Sequence, residues 1–469
     1  MAAAGVVLAN KRMQQSGGRL SVTRDVIARN LLPSLLLLVL LSRLCFAFMI
    51  LKANGPAGFL ASDSPTYIHP AQNLLHGSFS QKFPGDPEIF RTPAYPLLLV
   101  PAVLSGHLLA FGVLENILLS VACAWLIWKI AVHLMPGTRA AFWAVLLYCL
   151  EPMSWLFAEK ILSETLFVTL FLIFLWFMIC FLEEPGYKKL LCSVFALGCA
   201  TYARPTTLYF GIWLMPFLLW FPRMQSWRQR AMRAIVFSLA FCLTLLPWIV
   251  RNAVVADYHS FTSSGAHNLY FYSAMSVRAK LEHRTLDELY QSESNGENGR
   301  YLQTHPEQRT WTHAQRLRFL EAEGRKTVLE HLLLYARIHA KGCLIVLFEP
   351  GATEILKILH LYPEAGGLLS RTLNEGFISA TWWLVRQYPA TAILIPLLML
   401  QLLLYYAVGI VGLLRLPMAI QCLFVVTIIY LVLVSGFPAA MSRFRVPIMP
   451  IVCICAGIGI ANRAKKLPA

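Results

Sequence analysis

The chain has 469 residues, 57% of them hydrophobic and only 14% charged, whereas a soluble globular domain carries about 25% charged residues. Repeated apolar runs of about 20 residues exclude an ordinary soluble domain and predict an all-α polytopic membrane protein. Lys and Arg outnumber Asp and Glu by 40 to 24, a net charge of +16; this excess fits cytoplasmic loops, and without a base-reading motif it predicts no nucleic-acid partner.

Residues 1–29 form a basic, polar N-terminus (Lys11, Arg12, Arg19, Arg24, Arg29) expected in the cytoplasm. The apolar run behind it is too long for a signal h-region, and no small-residue cleavage site follows, so a retained first span is predicted at roughly 30–51. Arg43 lies well inside that span; it either pairs with an acid in the bundle or marks a shorter span. The chain then leaves the membrane on the outer side with "SDSPTYIHPAQNLLHGSF", residues 62–79, in a first extracytoplasmic loop over 52–113. Within this loop, residues 93–111 are apolar but hold Pro93, Pro96, Pro101 and Gly106, and prolines break or kink helices. They read either as a span or as a helix lying on the outer surface.

The basic loops choose between these readings. Further spans are predicted at 114–134, 139–157, 163–182, 188–203, 206–221 and 233–250. If 93–111 stays at the surface, "HLMPGTR", "EEPGYKK" and "FPRMQSWRQRAMR" all face the cytoplasm, as the positive-inside bias requires. Residues 251–388 are then an extracytoplasmic loop region with helical pieces. Its segment 328–348, interrupted by His339 and Lys341, is expected to be an amphipathic helix at the outer interface. Three closing spans follow at 389–413, 418–436 and 444–461, and the tail with Arg463, Lys465 and Lys466 ends inside. The sum is about ten transmembrane helices plus juxtamembrane helices, with both termini cytoplasmic. The 11 Cys show no zinc spacing and lie mostly within apolar runs, as small core residues.

Several cations violate the inside bias by lying at outer helix ends: Arg91, Lys160, Arg204, Arg251, Arg443 and Arg445. Each alone reads as an interfacial side chain reaching to lipid phosphate. Together, beside prolines and small polar residues, they suggest an outward-facing pocket for a lipid-linked phosphate held by forked hydrogen bonds. The outer acids are fewer: Asp63, Asp86, Glu88, Glu115, Glu159 and Glu164. A carboxylate near the bilayer is paired, protonated or functional. For Asp63 two readings stand: a cap for a helix starting near Pro65, or a catalytic group.

The stretch from 62 to 79 with "FRTPAYPLLL" resembles the first extracytoplasmic loop of C-type (GT-C) membrane glycosyltransferases, notably the protein O-mannosyltransferase-like and lipid A aminoarabinose transferase-like families. The resemblance rests on Asp63, Tyr67, "AQNLLHG" (71–77), Arg91, Pro93 and "YP" (95–96), then on "WLFAEKILSETLF", "YARPTTLYF", "LLPWIVRN" and "SRFRVPIMP". It implies transfer of a sugar from a polyprenyl-phosphate donor to a glycan, lipid or protein acceptor at the outer face of a bacterial inner membrane. Residues 30–250 would then hold the catalytic module. Asp63 would be the general base of an inverting reaction, with Glu164 assisting or orienting the acceptor. Arg204, Arg443 and Arg445 would bind the donor phosphate, with Lys160 and Arg251 behind them. Tyr67, His69 and Arg91 would shape the substrate site, and Asn268 in "TSSGAHNLYF" would meet a sugar or acceptor.

Two departures bear on metal dependence. The Asp-Glu pair of the mannosyltransferases is Asp63-Ser64 here, and the Glu preceding Lys-Pro in the aminoarabinose transferases is replaced by "RTP". No obligatory metal is therefore expected, with a divalent ion as the alternative. The competing functions are a transporter or lipid flippase, whose polar groups would sit near the bilayer midplane, an O-antigen-ligase-like transferase, and a non-catalytic scaffold.

Overall fold

The computed structural model describes residues 31–221, 226–293, 300–363, 371 and 375–461. The predicted basic N-terminus, the C-terminal tail and Arg223 lie outside these residues. Among the described residues the chain is helical and forms no named strand. Six helices among the described residues are long and apolar enough to cross a membrane: Leu31–Asn54, Leu108–Leu134, Glu164–Glu183, Trp227–Ala256, Pro389–Leu413 and Met418–Ser435. Two bent pairs, Ala140–Leu150 with Pro152–Glu159 and His313–Glu330 with Leu332–Phe348, raise the number to eight.

The expectation of about ten spans is therefore met only in part. Tyr187–Ala203 is a helix of 17 residues. Residues 206–221 are cut into Phe210–Trp213 and Met215–Trp220. Residues 444–461 carry only the 12-residue helix Met449–Ile460, because Ser442–Arg445 first form a 3-10 turn. At 1.5 Å per residue a 12-residue helix covers about 18 Å, short of the roughly 30 Å hydrocarbon layer. Residues 93–111, expected as one surface helix, are divided: Ala94–Leu104 stops at Ser105, Gly106 takes a φ of 73°, and residues from Leu108 onward belong to the next long helix.

Cross-helix hydrogen bonds show how the chain passes back and forth between two ends. At one end, His133 Nε2 meets Glu183 at 2.6 Å, Arg233 donates to Pro185 O at 3.2 Å, and Arg230 donates to Trp220 O at 3.2 Å. The three basic loops predicted to share a side thus lie together. Arg415 donates to the carbonyls of Ile458, Gly459 and Ala461 at about the same distances, 2.9–3.1 Å. At the opposite end lie Asp63, Lys160, Glu164, Arg204 and Arg443.

The final helix is locked in place by glycine. A Cβ at Gly412 would stand 1.7 Å from Cys455 O, and one at Gly457 would stand 2.5 Å from Ala140 O. Only hydrogen lets Pro389–Leu413, Met449–Ile460 and Ala140–Leu150 approach so closely, the small-residue packing of apolar helices.

Arg43 has a role in the bend at Glu151. Pro152 excludes its predecessor from the helical region, and Glu151 is extended at φ −79°, ψ 115°. The Glu151 carboxylate accepts from the Met153 and Ser154 amides at 3.2 and 2.6 Å, so it caps the new helix. On the other side of the bend, the freed carbonyls of Tyr148 and Cys149 accept from Arg43 at 3.4 and 3.5 Å. The same guanidinium reaches Ser154 Oγ at 2.9 Å and Ser120 Oγ at 3.2 Å, and it is fully buried. Neither sequence alternative describes this: among the described residues Arg43 pairs with no acid, and it does not shorten its helix but satisfies a broken backbone in the bundle interior.

The region after residue 256 folds as helical pieces around a second core of Tyr258, Tyr270, Phe271, Met275, Tyr301 and Leu317. Thr312 and Gln315 form a reciprocal cap at the start of His313–Glu330. The Leu332–Phe348 helix packs on Met418–Ser435, where Cys343 Sγ lies 3.7 Å from Val432 O. Replacing Arg43 by Leu should lower unfolding free energy by about 2–4 kcal/mol, since the carbonyls of Tyr148 and Cys149 and the hydroxyls of Ser120 and Ser154 each lose one donor in the bundle interior. Thermal unfolding in detergent checks this, with Arg43→Lys expected to recover part of the loss.

Candidate active site

The loop after the first helix places Asp63 between a 3-10 turn at Pro56–Phe59 and the helix Pro65–Leu74. The N-cap of that helix is Ser64, with no side-chain cap bond, and its hydroxyl accepts from Ala61 N at 2.8 Å. Asp63 contributes only its backbone carbonyl to the turn, accepting from Thr66. Its carboxylate instead turns toward two arginines: Oδ1 meets Arg91 Nη2 at 2.9 Å and Oδ2 meets Arg443 Nη1 at 2.8 Å.

Arg443 connects this carboxylate to a second one. Its Nε donates to Glu164, which also pairs with Arg204. Glu164 begins a long apolar helix and is 1% exposed. Arg204 stands where the Tyr187–Ala203 helix ends and Pro205 begins a new turn. Three guanidinium groups thus face two carboxylates, an excess of one positive charge. Arg91 is further fixed by Thr66 Oγ1 at 2.8 Å and Tyr67 OH at 3.1 Å, and Tyr67 OH shares a bond with Ser163 Oγ at 3.1 Å. The Tyr67 ring meets Tyr95 edge-on at 5.3 Å.

Burial by itself would push the Asp63 carboxyl up, but Arg91 and Arg443 outweigh it and hold it below the usual carboxylate value. For Arg443, burial opposes the charge and the nearby Glu164 and Asp63 more than restore it. The Asp63 side chain keeps 35% of its surface, more than either arginine that binds it. It is the carboxylate of the cluster open to a substrate.

The other predicted residues fall into two groups. Some cations at the same end brace backbone rather than face the opening. Lys160 donates to the carbonyls of Gly58 and Leu60 at 2.6 and 3.1 Å, and burial lowers its pKa. Arg251 donates to Glu88 O at 2.6 Å and lies over Trp248 at 4.7 Å. Arg445 is 1% exposed and donates to the carbonyls of Val346, Leu347 and Glu349 at 2.9, 3.2 and 2.7 Å, so it caps the Leu332–Phe348 helix. These contacts set the three apart from the phosphate-facing placement expected of them. His69 is exposed on the short helix, and no hydrogen bond ties Asn268 to the cluster.

His267, which the residue pattern did not single out, lies against Phe90 and within reach of the Arg91 charge. Its ring meets Phe90 at 5.6 Å and Phe271 at 4.7 Å. Burial, then the Arg91 charge, lowers it to about 4, so it is neutral near pH 7. A helical register over 264–268 would have separated His267 from Asn268, but nothing in the sequence shows which face meets Phe90. Glu88, one of the acids considered, accepts from the Arg91 amide at 2.9 Å and from Gln81, which shapes the loop. Among the described residues no group of three His, Cys, Asp or Glu side chains has the arrangement of a metal site.

Residues 97–249 match the family model described as dolichyl-phosphate-mannose-protein mannosyltransferase. This segment is thus similar to a domain of GT-C superfamily glycosyltransferases. The matched segment is about a third of the chain; it contains Lys160, Glu164, Arg204 and the helices Glu164–Glu183 and Tyr187–Ala203, and it supports a membrane glycosyltransferase. Asp63, Arg91 and Arg443 lie outside the segment and join it through Glu164 and Arg204. No curated protein matches the chain.

Glu164→Leu should leave Arg204 and Arg443 buried without their shared counter-charge and destabilise the protein by about 3–5 kcal/mol. Glu164→Gln, which keeps the shape and one acceptor, should cost less. Thermal unfolding of the two variants checks the order; a Glu164→Leu protein as stable as the wild type would show that this pairing does not hold the site.

Proposed function

We propose that the protein transfers a sugar from a polyprenyl-phosphate donor to an acceptor hydroxyl at the outer face of the membrane, with inversion at the anomeric carbon. The observation that carries this reading is the cluster itself: one part-exposed carboxylate, Asp63, clamped by arginines that exceed the acids by one charge. The match to a mannosyltransferase family model over residues 97–249 supports the reaction class and a lipid-linked donor. Separation of the cluster from the end that holds the basic loops supports an extracytoplasmic site, since those loops favour the cytoplasm.

In this mechanism the acceptor O–H gives its proton to Asp63 while its oxygen forms a bond to the anomeric carbon. The bond from that carbon to the phosphate oxygen breaks, and polyprenyl phosphate leaves with one more negative charge. Arg443 and Arg204, with Arg91, hold that charge as it develops. A base pinned by two arginines is weak, so the donor has a second effect. Its phosphate competes for the guanidinium groups, loosens their hold on Asp63, and raises the carboxylate's basicity as the acceptor arrives. Glu164 keeps Arg204 and Arg443 oriented, a positioning role. Lys160, Arg251 and Arg445 act on the scaffold around the site. The acceptor is a glycan, lipid or protein hydroxyl, and no step of this mechanism requires a metal.

Asp63→Asn should reduce transfer by about 100- to 10,000-fold while expression and melting temperature stay near wild type; near-normal turnover of membranes supplied with radiolabelled polyprenyl-phosphate sugars would overturn the base assignment. In the same assay Arg443→Ala should weaken donor binding, measured as a raised KM for the donor. The pH dependence follows from the sign of the Asp63 shift. A carboxyl held below its ordinary value by Arg91 and Arg443 stays ionised to lower pH, so the acid limb of kcat/KM should lie below the ordinary aspartate value. Arg91→Gln removes the larger opposing charge and should move that limb upward.

A further inference from the structure

A cavity of about 330 Å³ opens in the helical region beyond the cluster, lined among others by Tyr270, Arg278, Glu293, His305, Phe319 and Glu323. Its size is at the lower end of small-molecule sites, about 300–1,000 Å³. One wall is the chain run Ser264–Leu281, a short helix, a π turn and a second helix. The opposite wall is His313–Glu330, whose Glu323 and Thr327 share a face at a spacing of four. Gly324 lets the walls approach, since a Cβ there would stand 3.0 Å from Leu269 Cγ.

The chemistry of this lining differs from that of the arginine cluster. Arg278 is held by both oxygens of Glu293, at 2.7 and 2.8 Å, and by Glu282 at 3.3 Å. Glu323 has no ion-pair partner among the described residues. The lining charge is therefore negative, one arginine against two glutamates, which disfavours a phosphate. Aromatic rings supply flat apolar surface: Phe319 lies 6.0 Å from His305, which stacks at 4.4 Å on the Tyr301 ring. The Arg278–Glu293 pair and the hydroxyls of Thr304 and Thr327 supply donors and acceptors beside those rings. Flat rings next to paired donors and acceptors suit a sugar, which offers C–H faces and hydroxyl edges. The same run of chain that forms this wall carries His267 against Phe90, next to Arg91, so it lies between the cavity and the charged cluster.

We propose that this cavity is a carbohydrate site that takes a neutral sugar ring of the acceptor, while the charged lipid-linked donor goes to the arginine cluster. The word acceptor rests on the glycosyltransferase reading above; the carbohydrate site does not. The test uses the full chain in detergent and saturation-transfer NMR with neutral hexoses and disaccharides, compared with the corresponding hexose phosphates. Neutral sugars should bind the wild type and Asp63→Asn alike. Glu323→Ala, at the rim, and Thr327→Trp, which fills the opening, should each weaken that binding about tenfold or more without loss of melting temperature. Two rim variants guard against one that fails to fold. The site is overturned if the wild type binds no neutral sugar, if both variants bind as the wild type does, or if hexose phosphates bind there better than neutral sugars. If sugars bind as expected but Asp63→Asn still transfers, the carbohydrate site stands and the catalytic reading fails.

Discussion

Arg443 donates to Asp63, 380 residues away in the chain, and to Glu164, 279 residues away. Those two contacts close the site. Glu164 is nearly inaccessible, and a charge so buried has to be paired or lose its ionisation. The pairing fixes the ends of four segments against one another: the loop after the first helix, the start of Glu164–Glu183, the end of Tyr187–Ala203 and the turn before Met449–Ile460. Arg91 adds a fifth through Asp63.

The fold answers interrupted backbone with side-chain donors throughout. The bend at Pro152 leaves two carbonyls in the interior, and Arg43 shares them with Ser154 and Trp155. The end of Leu332–Phe348 is met by Arg445, and the turn after the first helix by Lys160. In an apolar surrounding an unpaired carbonyl has no water to turn to, so a cation held there lets a helix bend without losing hydrogen bonds. The breaks in turn create the site, because they put polar loops and helix ends where straight helices would leave only apolar surface.

Charge also separates two neighbouring regions of this end of the molecule. The cluster around Asp63 has one positive charge in excess, and the cavity beyond Ser264–Leu281 has one negative charge in excess. A phosphate would be drawn to the first region and kept from the second by charge alone, whereas an uncharged sugar meets no such barrier in the second. His267, neutral beside Arg91, adds no charge to that balance.

The sequence by itself determined that the chain is a helical membrane protein, because hydrophobic length and the scarcity of charge are local properties. It also brought Arg204 and Arg443 forward among six cations that violate the inside bias, and Asp63 and Glu164 among six acids at the outer face, while only the family resemblance joined the four in one site. It did not distinguish Arg443 from Arg445, two residues apart in one turn. The tertiary structure decided that the first points at carboxylates and the second at the carbonyls of another helix, because the partner of a cation depends on which distant segment packs against it. The same limit applies to the number of spans. Apolar runs at 206–221 and 444–461 look long enough on paper, but prolines and a 3-10 turn shorten the helices actually formed. It applies as well to Asp63, whose local sequence suits a helix cap. Only the approach of Arg91 and Arg443 from elsewhere in the chain draws its carboxylate away from that role.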